Sequence, residues 1–201
     1  MIRRTVLAGL ITIVGAFGAP AILAAADPAA VINNLGNRAL EVLGKNATPA
    51  QRVARFHELF REDFDVPGLA RFVLGRYWKT ATPEEQTEFV KLFEDYIALV
   101  YSNQLAAYSG ETLKVTGSRT NAEEAIVASE IIRPAGTPPV KVDWHLTDRN
   151  GTYKISDVMV DGISMAVTQR SEFASVIQRS GGQVAGLIAQ LREKTAAAAP
   201  H

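Results

Sequence analysis

The sequence predicts an α+β domain in which helices cover one face of a curved antiparallel sheet. Three observations support this prediction. Apolar residues recur at helical spacing up to Gly110, the period then changes to two between Leu113 and Val160, and a helical period returns up to about Arg192. Helices, then a meander of strands, then further helices are the element order of an α+β fold. We therefore expect a four-stranded sheet within a single domain.

The first 26 residues have the composition of a secretory signal peptide. Two arginines near the start precede an apolar stretch, and three consecutive alanines end at Ala26. A positive start, an apolar centre and small residues before the cleavage point are the features of such signals. We expect export to the periplasm and cleavage after Ala26. A single domain over residues 27–194 and a disordered alanine-rich tail over residues 195–201 would then follow.

Two helix starts carry the same capping chemistry. Thr48 and Thr82 are each followed by proline, and Gln51 and Glu85 stand three positions after the two threonines. A threonine N-cap, a proline at the first helical position and an acid or amide reaching back form a capping box. The sequence therefore predicts that two helices begin at these threonines.

The helix that begins at Thr82 has one wide apolar face and one polar face. The apolar positions follow helical spacing, and they are Phe89, Leu92, Phe93, Tyr96, Ile97, Val100, Tyr101, Leu105 and Tyr108. The polar face carries Glu88, Lys91, Glu94, Asp95 and Gln104. The apolar face must be buried against another element.

Four strands follow from alternating apolar and polar residues. The first strand starts near Leu113, the second spans Ala125–Ile132, the third starts at Val140 and the fourth spans Tyr153–Val160. An Asn-Gly turn joins the third strand to the fourth. Alternation of this kind is typical of half-buried antiparallel strands. In the third strand one face is predicted to carry Val142, Trp144 and Leu146, and the other Lys141, Asp143 and His145.

Composition excludes several classes of function. The chain has no cysteine, so zinc-thiolate sites, iron–sulfur clusters and cysteine nucleophiles are excluded. Its 21 basic residues balance its 21 acidic residues, which argues against a nucleic-acid partner because such partners need a basic surplus. No nucleotide-binding glycine pattern is present. We therefore expect no cofactor and no metal site.

The strongest candidate for catalysis is Ser164, in a glycine-containing turn that resembles a hydrolase nucleophile elbow. That fold places its histidine after the serine, and the histidine after Ser164 in this chain is His201 in the tail. We therefore interpret Ser164 as a helix N-cap or turn residue. His57 and His145 have no companion at metal-ligand spacing, so we interpret both as structural residues. We expect no catalytic residue.

Several segments together resemble the MlaC family of periplasmic lipid-binding proteins, which includes the toluene-tolerance proteins. The segments are Leu69–Phe89, Tyr96–Gly110, Pro138–Asp143 and Asp157–Phe173. The resemblance implies a fold like nuclear transport factor 2 and a soluble carrier, not an enzyme. It also implies a monomer that takes phospholipid between an outer-membrane lipoprotein complex and an inner-membrane ABC transporter complex.

The resemblance also implies a lipid site between the concave face of the sheet and the helices. The predicted lipid-binding residues are Tyr101, Leu105, Val142, Trp144, Leu146 and Ile163. Tyr101 and Ile163 match lipid-contacting positions of the family. Lys141 is predicted to contact the transporter or a headgroup. Periodicity alone does not separate a lined pocket from a filled core, so plain core packing is the competing interpretation for each apolar residue.

Three other functions stay open at this point. A hopanoid-associated relative, HpnM, would carry a rigid polycyclic lipid instead of a phospholipid. An enzyme on the same fold would need polar groups inside the sheet, with His145 facing inward. A purely structural partner of a membrane complex would hold no ligand.

Overall fold

The architecture was obtained from a computed structural model, which describes residues 27–42, 47–105, 110–121, 123–134 and 137–196. The predicted signal peptide, residues 1–26, lies outside the described residues. None of the helices in the described ranges has the length and apolarity needed to cross a bilayer.

Six α-helices and five strands are present among the described residues. The helices before the sheet are α1 (Pro28–Val42), α2 (Pro49–Asp63), α3 (Val66–Leu74) and α4 (Pro83–Leu105), with a 3₁₀ helix over Gly75–Lys79. The strands are β1 (Thr112–Thr120), β2 (Ala125–Ile132), β3 (Val140–Arg149), β4 (Thr152–Val160) and β5 (Ile163–Ser164). The closing helices are α5 (Met165–Arg179) and α6 (Val184–Ala196). The last helix thus extends two residues past the domain end predicted at residue 194.

Both predicted capping boxes are confirmed. The Gln51 amide nitrogen donates to Thr48 Oγ1 at 3.2 Å, and the Thr48 amide donates back to Gln51 Oε1 at 2.9 Å. At the start of α4, the Glu85 amide donates to Thr82 Oγ1 at 3.2 Å and the Thr82 amide donates to Glu85 Oε2 at 3.0 Å. Each box satisfies backbone donors that the first helical turn leaves without partners.

The sheet is antiparallel throughout, in the order β1-β2-β3-β4-β5. The α+β prediction is confirmed, but the sheet has five strands instead of the four predicted. The additional strand, β5, has two residues and follows a tight turn at Asp161 and Gly162, whose φ angles are 48° and 81°. Two residues are too few to show an alternating pattern, so the sequence predicts a helix from about Ile163 and the strand is not detected.

Two irregularities bend the sheet. The pairing of β1 with β2 shifts between Val115 and Gly117, and the pairing of β3 with β4 shifts between His145 and Leu146. Bulges increase local twist and bend the bulged strand. The predicted tight turn between β3 and β4 is confirmed, because Asn150 and Gly151 both have positive φ, at 57° and 84°.

The apolar interior consists of two clusters. The helical cluster joins α2, α3, α4, α5 and α6 around fully buried residues such as Phe89 and Ile177. The sheet cluster joins α1 and α2 to the strands around Ile32, Leu146 and Ile155. Phe64, between α2 and α3, packs against both clusters. The interior is therefore divided into a helical part and a sheet part.

One residue of the predicted polar face of α4 is buried. Glu94 has 7% exposure, because α2 packs against that side of α4 and brings Arg61 and His57 to its carboxylate. His57 Nε2 also lies 2.9 Å from Asp95 Oδ1. The expectation that His57 is a structural residue agrees with this position, in which it ties α2 to α4.

Candidate functional site

Three predicted site residues share one face of β3, which we call the inner face. The inner face carries the side chains of Val142, Trp144 and Leu146. Residues of β2 and β4 that pair with these three lie on the same face, and so do the residues of β1 that pair with those of β2. Leu146 and Val142 are 0% and 2% exposed, whereas Trp144 is half-buried. Leu146 belongs to the sheet cluster, and Trp144 packs against its border.

Ile163 extends the inner face to the edge of the sheet. It pairs with Val160, and Val160 pairs with Val142, so the three side chains form one cross-strand row. Ile163 is 60% exposed. Exposure rises along this row from the buried Val142 through the half-buried Val160 to Ile163, which we call the open end of the predicted site.

The indole nitrogen of Trp144 has a hydrogen-bond partner within the sheet. Its indole Nε1 donates to Ser129 Oγ at 2.9 Å, and the Ser129 hydroxyl donates to the Val142 carbonyl at 3.0 Å. Within the part of the chain that the structure describes, no buried side-chain nitrogen or oxygen lacks a partner. The inner face around Trp144 therefore offers mainly apolar contacts, because the polar atoms of Trp144 and Ser129 are hydrogen-bonded within the sheet.

Tyr101, the residue predicted to contact lipid from the helices, lies near the end of α4. It is half-buried at the edge of the helical cluster, and its ring lies parallel to the ring of Phe56 on α2 with the centroids 6.3 Å apart. Burial raises the pKa of the Tyr101 phenol, and the charges of Glu172, Tyr96 and Asp157 add to this effect. The phenol therefore stays neutral well into the alkaline range. The side chain of Leu105, the last residue of α4, lies outside the described residues.

The open end at Ile163 is held by a carboxylate. Asp157 on β4 accepts hydrogen bonds from the Ser164 hydroxyl at 2.5 Å and from the Ala166 amide at 3.0 Å. The Ser164 hydroxyl also accepts from the Val167 amide at 3.0 Å, so Ser164 is the N-cap of α5 as predicted. Asp157 and Ser164 together fix the start of α5 next to Ile163.

The opposite face of β3 carries the polar residues. Asp143 and His145 point away from the inner face, and His145 Nδ1 lies 3.2 Å from Glu124 Oε2. An enzyme on this fold would need an inward-facing His145, and that condition is not met. Lys141 is exposed on the same outer face, where its backbone amide donates to Asp161 Oδ1 at 3.1 Å.

Two surface concavities of the described residues lie away from the inner face. One is on the outer side of α4 near Glu88 and Lys91, and the other lies between α4, α5 and α6 near Phe173 and Leu187. The inner face is instead occupied by the molecule's own side chains. Half-buried apolar residues border each cluster: Phe56 and Tyr101 pack against the helical cluster, and Trp144 and Val158 pack against the sheet cluster. We call these four residues the seam, together with Val160, which lies on the inner face with Val158.

Sequence reasoning missed Phe56, Val158 and Val160 as seam residues. Val158 and Val160 follow a bulge that reverses the alternation of β4, so counting from Tyr153 puts them on the wrong face. The apolar stripe of α2 includes Phe56, but which residue that stripe meets on α4 depends on a contact between distant parts of the chain.

Comparison with known proteins gives a family. A family model described as MlaC protein matches residues 33–193. Among curated proteins, the chain is 25% identical over 122 residues to the toluene tolerance protein ttg2D of Pseudomonas putida, covering 60% of this chain and 56% of that protein. It is 23% identical over 113 residues to the intermembrane phospholipid transport system binding protein MlaC of Haemophilus influenzae, covering 54% of this chain and 53% of that protein. The chain thus matches about half the length of these curated relatives.

The fold is also similar to a solved structure. A phospholipid-binding protein from Ralstonia solanacearum, in complex with a phospholipid, superposes with a TM-score of 0.73 at 24% identity. The match covers 87% of this chain and all of the other. At this level of identity the similarity establishes the shared α+β fold.

Proposed function

The chain belongs to the MlaC protein family, and from that premise we propose that it is a phospholipid carrier. In this proposal the acyl chains lie in the seam, between the inner face of the sheet and the helical cluster. Tyr101 and Phe56 contact the lipid from the helices, Trp144 and Val142 contact it from the sheet, and Ile163 marks the end at which it enters.

The observation that carries this proposal is the division of the interior. A tightly packed single core would have to be broken to admit a lipid. Here each cluster contains fully buried residues, while the apolar seam residues that pack against them are half-buried. In this proposal the seam residues move apart to admit the lipid, and the fully buried residues of each cluster stay packed. The acyl chains then cover the apolar surface that this movement exposes.

The physical need for such a carrier is large. A diacyl phospholipid has about thirty methylene groups, and exposing them to water at about 0.8 kcal/mol each costs on the order of 20 kcal/mol. Free transfer across an aqueous space is therefore negligible. A protein that keeps the chains in an apolar seam removes most of this barrier.

The family and the predicted signal peptide support a place and partners for this carrier. We propose that it works in the periplasm as a monomer, between an outer-membrane lipoprotein complex and an inner-membrane ABC transporter complex. Lys141 is exposed on the outer face, where it is available to a protein partner without disturbing the seam. The chain acts by binding and release, without catalysis.

Mass spectrometry of lipid that co-purifies with the protein tests the proposal. We expect phospholipid from the native chain and none from Ile163→Asp, because a carboxylate at the entry is not compatible with acyl chains. Ile132→Asp is the matched control, since Ile132 is also exposed, at 41%, but lies on the outer face. A native protein without bound lipid, or equal lipid loss in both folded variants, would contradict the carrier function. A hopanoid in the spectrum would replace phospholipid as the cargo.

A further inference from the structure

A second apolar surface lies outside the seam, where α3 and α5 pack together. Phe72 on α3 is 41% exposed and Val167 on α5 is 51% exposed. They are two of the four large hydrophobic residues exposed in the described part of the chain. The proposed carrier site does not include either residue.

One arginine contacts Phe72, and two further exposed arginines lie near it in the sequence. The Arg170 guanidinium lies over the Phe72 ring, with Cζ 5.3 Å from the ring centroid, and Arg170 follows Val167 by one helical turn. Arg71, beside Phe72 in sequence, and Arg76 in the 3₁₀ helix are also exposed. We call Phe72, Val167 and these three arginines the α3–α5 face.

The charges of the α3–α5 face are not neutralised within the described residues. Arg71, Arg76 and Arg170 form no ion pair there, whereas five other described arginines do, for example Arg149 with Asp65 and Arg192 with Glu88. The Arg76 guanidinium donates a hydrogen bond to the Tyr77 hydroxyl and lies over the Tyr77 ring. Glu172 is the acidic residue of α5, and besides burial its charge contributes to the raised pKa of Tyr96, on the other side of that helix.

We propose that the α3–α5 face docks on an anionic phospholipid bilayer. Exposed apolar side chains next to arginines suit the boundary between headgroups and acyl chains, where the apolar groups insert and the guanidinium groups bind phosphate. Ile163 lies directly before α5, so docking here brings the open end of the seam to the membrane surface.

This docking goes beyond carrying lipid, and it needs no lipid in the seam. Co-sedimentation of delipidated protein with vesicles measures it directly. We expect the native chain to pellet with vesicles that contain phosphatidylglycerol and to stay in solution with vesicles of phosphatidylcholine alone. Protein that only extracts lipid into its seam stays in the supernatant, so docking and carrying are scored separately.

Variants assign the docking to the α3–α5 face. Arg170→Gln should weaken partition into anionic vesicles about fivefold, and Arg170→Glu about twenty-fivefold, because each unit of charge near such a surface contributes about a factor of five. Arg179→Glu is the matched control. It makes the same charge change nine residues later, on the opposite side of α5, and it should leave partition within about twofold.

Thermal unfolding of each variant confirms that the fold is retained before partition is compared. Native partition that is the same with and without phosphatidylglycerol would overturn the proposal. Equal losses in folded Arg170→Glu and Arg179→Glu would overturn it as well, because the binding would then depend on net charge alone. If the protein co-purifies with lipid but never pellets with vesicles, the docking is wrong and the carrier function stands.

Discussion

At the residue scale, core residues and entry residues of the inner face should respond differently to substitution. Leu146 is fully buried and Ile163 is mostly exposed, although both face the same way. Leu146→Ala should lower the free energy of unfolding by about 2–5 kcal/mol, because it leaves a cavity in the sheet cluster. Ile163→Ala should change it by less than about 0.5 kcal/mol.

Urea unfolding followed by circular dichroism measures both changes. Equal destabilisation by the two substitutions would show that Ile163 is packed as core in solution. The open end of the seam would then have to lie elsewhere.

Tyr101 provides a second prediction at the residue scale, from the pH dependence of stability. Its folded pKa is raised, chiefly by burial, above the ordinary tyrosine value of about 10. Between these two values the folded state keeps a proton that the unfolded state has released, so the free energy of unfolding falls as pH rises. Below about pH 10 this group has no effect on the slope.

Tyr101→Phe should therefore reduce the alkaline loss of stability while keeping the ring stacked on Phe56. Urea unfolding at a series of pH values above neutrality measures the slope, and lipid retention at neutral pH should be unchanged. An unchanged alkaline slope in Tyr101→Phe would contradict the burial of this phenol in the folded protein.

At the element scale, the start of α5 should matter for lipid retention more than the start of α4. Asp157→Ala removes the acceptor that holds Ser164 and the Ala166 amide, next to Ile163. Thr82→Ala removes a capping box at the start of α4, and α4 reaches the seam at its other end through Tyr101. Loss of such a cap costs about 1 kcal/mol.

We expect both variants to unfold at lower urea concentration and only Asp157→Ala to lose co-purified phospholipid. Thermal unfolding and lipid mass spectrometry on the same preparations separate the two effects. Lipid loss in both variants would mean that retention follows overall stability, without a special role for the start of α5.

Elements set by local sequence were predictable, and contacts between distant elements were not. Thr48 and Thr82 mark helix starts because capping involves only the next three residues. The Asn150-Gly151 turn is equally local. By contrast, β5 is too short to show a period. The burial of Glu94 depends on Arg61, which is distant in sequence.

The candidate site shows the same division. The face shared by Val142, Trp144 and Leu146 follows from the alternation of β3, and the pairing of the strands agrees with it. The exposure of Ile163 and the stacking of Tyr101 on Phe56 depend on how the sheet and helices meet. No local pattern encodes that arrangement, so the sequence alone did not divide the predicted site residues between core and seam.

At the scale of the whole molecule, a lipid in the seam should stabilise the fold. Any ligand that binds only the folded state adds stability that grows with its concentration, about 2.7 kcal/mol at one hundred times the dissociation constant. For a domain of this size each kcal/mol raises the melting temperature by about 2–4 °C. The loaded protein should therefore melt roughly 5–10 °C above the delipidated protein.

Differential scanning calorimetry of loaded and delipidated samples measures this shift, with lipid content established by mass spectrometry. Because the acyl chains would join the helical and sheet clusters, the loaded protein should also unfold in one sharper transition. Ile163→Asp is the control, since it should melt at the same temperature before and after exposure to phospholipid. A loaded native protein that melts with the delipidated one would contradict a lipid held in the seam, because such a lipid binds only the folded state and must be released on unfolding.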